Sequence, residues 1–278
     1  MKIAITGSRG SVGKETVRLC AERGHHTVQV NRTDQEYDGT PNSEMRTADA
    51  TDYDACLKSF EGCDAIIHLA AIPNPRKNPH HQVHSNNVVG AFNGLHAAAE
   101  LGIRRFCYAS SVNAIGLAFS NQPNKFPYFP IDEDFPPNCT DSYALAKLEA
   151  EIQCKAFANW YPGLKIAAMR IHQVEPRETV RKEHEKLWEE SAVKQLFGWV
   201  NPTATARACI LAVENADDFE GCEIFNIVAP DTTQDTPSAE LAKKYHPEAE
   251  IREGLEGNNS FWKYGKAKII GWEHTEKE

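Results

Sequence analysis

A tyrosine and a lysine stand four residues apart in the run Ser142-Tyr143-Ala144-Leu145-Ala146-Lys147. On a helix that spacing puts both side chains on one face. A phenol ordinarily loses its proton near pH ~10, and an ammonium beside it favours the phenolate. The pair therefore predicts a phenol whose pKa is moved toward neutrality, suited to exchanging a proton with a carbonyl oxygen. A surface helix with an aromatic and a solvated charge has the same spacing, so the pair gains meaning only from what surrounds it.

The run Lys2-Ile3-Ala4-Ile5 leads at once into Thr6-Gly7-Ser8-Arg9-Gly10-Ser11-Val12-Gly13, and helix-like sequence follows. Strand, glycine turn and helix in that order suit a pyrophosphate. The glycines at 7, 10 and 13 permit a tight turn, close approach of backbone to the phosphates and close packing of helix on strand, while the helix N-terminus supplies N–H donors.

The elements that must position these groups alternate along the chain. Apolar runs predict strands at His26 to Val30, Glu44 to Ala48, Ala65 to Leu69, Arg105 to Ala109 and Lys165 to Arg170, with helical periodicity over 12–23, 52–61, 81–101 and 141–161. Strict alternation predicts an α/β fold, a Rossmann-type doubly wound parallel sheet with ligands at the carboxyl ends of its strands. The last hundred or so residues change character, with helices expected at 181–196, 203–216 and Ser238 to Tyr245 and a strand at Glu223 to Val228. The expected organisation is a dinucleotide-binding part over 1–175 and a small substrate-binding lobe over 176–278, intertwined with it as one structural unit. The proline-rich segment 121–137 is expected to lie over the pocket.

Composition narrows the function classes. The 278 residues are 41% hydrophobic and 25% charged, ordinary for a globular protein, and the formal charge of -9 argues against nonspecific nucleic-acid or anionic-membrane binding. No apolar run approaches a membrane span and the N-terminal one is too short for a signal peptide, so a cytoplasmic address is expected. Eight scattered cysteines without a C-x-x-C pair read as reduced thiols. His80, His81 and His84 have no nearby cysteine or carboxylate to complete a metal site, and no metal is expected.

With these elements placed, the chain resembles an extended short-chain dehydrogenase/reductase of the NAD-dependent epimerase/dehydratase family. The likeness rests on Thr6 to Gly13, Asp49-Ala50-Thr51-Asp52, His68-Leu69-Ala70-Ala71, Asn87-Val88-Val89-Gly90, Ser110-Ser111 with Gly116, and Tyr143 with Lys147. The resemblance implies that Tyr143 is the general acid or base, that Lys147 holds the nicotinamide ribose and lowers the tyrosine pKa, and that Ser111 bonds the reacting oxygen. It implies cofactor contacts from Gly7, Arg9, Gly10, Ser11, Val12, Gly13, Asn31, Arg32, Asp49, Ala50, Leu69, Ala70, Ala71 and Asn87, with Tyr143 and Lys147. Members that prefer NAD usually carry an aspartate after the second strand; Asn31 and Arg32 stand there, so NADP is the expected preference.

The compact layout is similar to uronate-dehydrogenase-like members. Val112, Asn113 and Pro73 depart from that pattern. Candidate substrate contacts are Ser111, Asn113, His172, Gln173, Arg177 and Arg181. The expected activity is an oxidoreductase moving hydride between nicotinamide and a hydroxyl or carbonyl of a small polar, sugar-like molecule. The alternative is an epimerase that keeps and recycles its cofactor. Apolar stripes at Val88, Phe92, Leu95 and Ala99 and at Leu148, Ile152, Phe157 and Trp160 suggest, through the same resemblance, a homodimer.

Overall fold

The computed structural model describes residues 1–34 and 36–276, and its centre is a seven-stranded parallel sheet. In chain order the elements are β1 (Lys2–Thr6), α1 (Ser11–Glu22), β2 (His26–Asn31), β3 (Ser43–Thr47), α2 (Tyr53–Phe60), β4 (Ala65–His68), α3 (His80–Glu100), β5 (Arg105–Ser111), β6 (Tyr128–Phe129), α4 (Ser142–Trp160), β7 (Lys165–Ile171), α5 (Arg177–Lys186), α6 (Pro202–Glu214), β8 (Cys222–Ile227), α7 (Ser238–Tyr245) and β9 (Glu250–Ile251). The sheet runs β3-β2-β1-β4-β5-β7-β8, all neighbours parallel. The chain steps outward from β1 to β3 and then crosses back to β4. That reversal opens a crevice at the carboxyl ends of β1 and β4.

Alternation of side chains along each strand builds two cores. Ile3, Ile5, Ala65, Ile67, Cys107 and Met169 face one side, beneath α1 and α6, while Ala4, Ile66, Phe106 and Ile166 face the other, beneath α2, α3 and α4. Both faces of these strands are covered, which is why they read as nearly continuous apolar runs. No helix of the described residues is long and apolar enough to cross a membrane.

Two expectations are corrected. The helix expected over 181–196 starts at Arg177, directly after Pro176, and stops at Lys186; a wider π turn over Trp188–Val193 follows. The segment 121–137 does not cover the crevice. Phe126, Phe129, Ile131 and Phe135 pull it into a third apolar cluster with Phe197, Leu241, Phe261 and Trp262, and β6 pairs with β9 there. Four large apolar side chains in one loop stabilise it more by burial than by lying over a wet pocket.

Candidate active site

At the carboxyl edge of the sheet a cavity of about 840 Å³ runs from the glycine turn to Tyr143. Its first wall is backbone. Gly7 has φ +67°, and a Cβ on it would lie 3.0 Å from the Ala70 nitrogen; one on Gly13 would lie 2.3 Å from the Gly7 oxygen. Side chains are sterically excluded at both positions, so β1, the turn and α1 close tightly. Thr6 ties this turn to the next strand, its Oγ1 accepting from the Leu69 and Ala70 N–H groups at 3.1 Å each. Gly10 stands at the N-cap of α1 without a capping side chain. The first N–H groups of the helix therefore face the cavity beside Ser11, Val12 and Gly13.

At the end of β2, Asn31 donates from Nδ2 to Ser8 Oγ at 2.7 Å, and Arg9 reaches across to the Thr33 hydroxyl and carbonyl, both at 3.1 Å. Arg9, Asn31 and Arg32 all line the cavity. Asp49 lines it too, its carboxyl held below the ordinary range by the Thr51 N–H, the Thr51 hydroxyl and the positive charge of Arg32. Ala50, Leu69, Ala70 and Ala71 complete this half. Cys56 and Phe60 of α2 and Ile72 and Val174 also line the cavity; in the sequence they carry only the signature of core residues.

Asn87 stands apart from the cavity lining. It is buried and does not line the cavity; its Oδ1 accepts from the Ile72 N–H at 2.8 Å and its Nδ2 donates to the Ile72 carbonyl at 3.0 Å. It clamps the turn after β4 with both ends of its amide.

The chemical end is built by β5 and α4. Asp141 caps α4 through the Tyr143 and Ala144 N–H groups at 2.9 and 2.8 Å, which sets Tyr143 at the first turn and Lys147 one turn on. Both side chains and Ser111 line the cavity. The Lys147 ammonium donates to the Ala109 carbonyl at 2.5 Å and to the Tyr108 hydroxyl at 3.3 Å, and lies 5.7 Å from the Tyr143 ring centre. Burial lowers its pKa to about 8, with Cys154 and Glu151 opposing.

The phenol departs from expectation. Burial pushes Tyr143 up to about 12, against a downward pull from the Ser111 hydroxyl. Lys147 shares its face but spends its charge on β5, and loss of hydration dominates. Ser110, by contrast with Ser111, donates to buried Glu151 at 2.6 Å, which also pairs with Arg170 at 2.8 Å.

The substrate-side candidates separate. His172 lines the cavity, but Nδ1 accepts from the Gln173 N–H at 2.7 Å and Nε2 bonds the Gln195 carbonyl at 3.1 Å, so neither nitrogen is open to a hydroxyl. Burial holds this ring neutral, with a pKa of about 3. Gln173 is bound to Glu183 and Gln195. Arg177 pairs with Asp231 at 3.0 Å and Arg181 with Asp235 at 2.6 Å, both outside the cavity lining. Asn113 is buried behind Ser111 and does not line the cavity either. The histidines at the start of α3 reach α4, His80 to Ser142 at 2.9 Å and His84 to Glu149 at 2.8 Å.

A cradle closed to a Cβ at Gly7 and Gly13, open helix N–H groups and an acidic residue at the far wall fit a dinucleotide, with its reactive ring at the Tyr143 end. L-arabinose 1-dehydrogenase (NAD(P)(+)) of Haloferax volcanii is 29% identical over 223 residues, spanning 77% of this chain and 82% of the relative. A putative UDP-glucose 4-epimerase of Methanocaldococcus jannaschii is 29% identical over 177 residues, 62% of this chain and 55% of the relative. Solved structures share the fold: a UDP-galactose 4-epimerase at TM-score 0.69 and 23% identity, covering 99% of this chain and 94% of that one, and a mutated uronate dehydrogenase at 0.67 and 19%, covering 99% and 82%. The model of the NAD dependent epimerase/dehydratase family matches residues 3–227, and the chain belongs to that family as an NAD(P)-dependent enzyme.

Proposed function

We propose that the chain is an oxidoreductase interconverting a hydroxyl and a carbonyl on a small polar, sugar-like molecule, with Ser111, Tyr143 and Lys147 as its reaction centre. The observation that carries this reading is the convergence of those three side chains on one end of a cavity whose other end is a phosphate cradle. The nicotinamide, when bound, supplies or takes up the hydride. Tyr143, protonated at neutral pH, donates its hydrogen to the substrate oxygen in reduction and recovers it in oxidation. Ser111 shares the charge developing on that oxygen, and the Lys147 ammonium, fixed by the Ala109 carbonyl, would hold a ribose hydroxyl of the bound cofactor.

NADP is the preferred cofactor on this reading, because Asn31 brings no charge against a 2'-phosphate and Arg9 and Arg32 both line that wall. Arg170, Arg177 and Arg181 are already paired with carboxylates of the chain, so these three are not the groups that hold the substrate. The lobe over 176–278 contributes the substrate side, next to Val174. Free thiols at all eight cysteines favour a reducing, cytoplasmic setting. Val89, Phe92, Ile152 and Trp160 leave 41, 39, 58 and 63% of their surface exposed on neighbouring α3 and α4, which supports a homodimer through that face. Leu95 and Phe157 are turned inward.

A screen of sugars, sugar acids, lactones and ketones against NADP and NAD, read at the reduced-nicotinamide band, tests the activity. Turnover of a sugar-like substrate with NADP, lost by at least about a hundredfold in Tyr143→Phe with NADPH binding retained, is the expected result. Full activity in Tyr143→Phe removes the assignment, and tighter binding of NADH than NADPH removes the cofactor preference. Sedimentation at one subunit mass removes the dimer.

A further inference from the structure

Ser111 ends β5 inside a turn whose hydrogen bonds have fixed directions. The Asn113 backbone N–H and Nδ2 donate to Ser111 Oγ at 3.1 and 3.3 Å. Asn113 Oδ1 accepts the Ala118 N–H at 2.8 Å. A backbone N–H only donates, so the amide oxygen is the atom facing Ala118 and the NH₂ is the group facing Ser111. The turn around them is rigid. Gly116 donates to the Asn113 carbonyl and Asn138 to the Ile115 carbonyl, each at 2.9 Å, and a Cβ on Gly116 would lie 2.2 Å from the Asn138 oxygen.

A hydroxyl oxygen has two lone pairs and one hydrogen. Two N–H donors from Asn113 occupy both lone pairs, so the Ser111 hydrogen has to be given away elsewhere. We infer that Asn113 is a positioning residue that makes Ser111 an obligate hydrogen-bond donor, aimed at the Tyr143 phenol and the reacting oxygen of the substrate. This rests on the reading of Ser111 and Tyr143 as the reaction centre. Ser111 favours the ionised phenol; a donor to the phenol oxygen acts in that direction and an acceptor does not. Tyr143 is then left with its own hydrogen for the substrate. When substrate is bound, the one Ser111 hydrogen turns from the phenol to the reacting oxygen, where it and the Tyr143 hydrogen both face the developing alkoxide-like charge. The valine before Asn113 has no side-chain hydrogen bond to offer, so the amide at 113 is the side chain that sets the polarity of Ser111.

Asn113→Asp tests this, because it keeps an oxygen for the Ala118 N–H and places an acceptor where the NH₂ stood. The Ser111 hydrogen then turns inward. The expected result is a fall in kcat of about a hundredfold, similar to Ser111→Ala, with NADPH affinity close to wild type and a lower Tm, because a carboxylate replaces a buried amide. In a Ser111→Ala background Asn113→Asp adds no more than about twofold. Activity within about threefold of wild type, or losses that multiply in the double variant, overturns the assignment. Neutron diffraction reads the same polarity without turnover: the Ser111 hydrogen points toward Tyr143 in wild type and toward residue 113 in Asn113→Asp. A wild-type hydrogen pointing at Asn113 overturns the inference. A chain that turns over none of the sugars and ketones fails the proposed activity, while the neutron map still decides the role of Asn113.

Discussion

Lys147 is a buried cation whose pKa lies near 8, below its ordinary 10.5, and its protonation has two separate consequences. Activity needs the ammonium, so kcat/KM falls on the alkaline side with an apparent pKa near 8 in the free enzyme. A pH profile checks this, and in Lys147→Arg, slower overall, the alkaline limb moves upward because a guanidinium keeps its proton. Stability runs the other way. Between pH 8 and 10.5 the unfolded chain holds this proton more firmly than the folded one, so folding stability rises with pH across that window and carries the full burial cost below it. Lys147→Met, which removes the buried charge, should raise the urea midpoint at pH 7 relative to wild type, with the difference shrinking toward pH 10. An unchanged difference across that range contradicts a lowered lysine. The tyrosine and lysine were legible in the sequence as a pair on one face of a helix. The direction of the phenol's shift was not, because it depends on burial under β5 and on where Lys147 sends its hydrogen bonds.

At the scale of elements, the strand, turn and helix at the N-terminus are the most legible part of the molecule. Their spacing encodes close approach, and the geometry gives it a number: a Cβ at Gly13 would sit 2.3 Å from the Gly7 carbonyl oxygen. That contact is backbone on backbone, so no side chain can swing aside. Gly13→Ala is expected to displace α1 from β1, weaken NADPH binding at least about tenfold by titration, and destabilise the fold by about 1–3 kcal/mol in urea. Gly10→Ala, with its Cβ in ordinary contact at 3.4 Å, should cost the fold less than Gly13→Ala. Equal stability in the two variants would refute the packing argument. The strands β1, β4, β5 and β7 were readable because both faces are buried. The break of α5 at Lys186 and the inward turn of 121–137 were less so, since charged helical periodicity and proline spacing say nothing about which cluster a segment joins.

At the scale of the whole molecule, burial holds several histidines of the described residues neutral, among them His68 and His172, with pKa values of about 3, and His184 and His246, at about 4. In each case burial is the first cause. Each has an ordinary value of 6.5, so below that pH the unfolded chain binds protons that the folded chain refuses. Stability therefore falls as pH drops from 6.5 toward 4, and at pH 5 each ring costs about 2 kcal/mol. Urea midpoints measured from pH 7 to 5 should decline steeply, and His184→Gln should flatten the slope; a flat wild-type profile would contradict the burial of these rings. In the sequence these residues carry no common signal. They are brought inside by different elements, β4, the exit of β7, α5 and the residue after α7.

The sequence by itself determined the α/β alternation, the glycine cradle and the spacing of Tyr143, Lys147 and Ser111, because period-two strands, i,i+4 faces and tight turns are local and leave their mark in neighbouring residues. Only the tertiary structure decided who holds whom. Arg181 is matched by Asp235 and Arg170 by Glu151, while Asn87 serves Ile72, His172 is taken up by backbone and Asn113 lies behind Ser111 rather than before the substrate. Several of these partners lie far apart in the chain. A side chain's availability for chemistry is set by the hydrogen bonds the fold has already formed with it, and no spacing in the sequence records them.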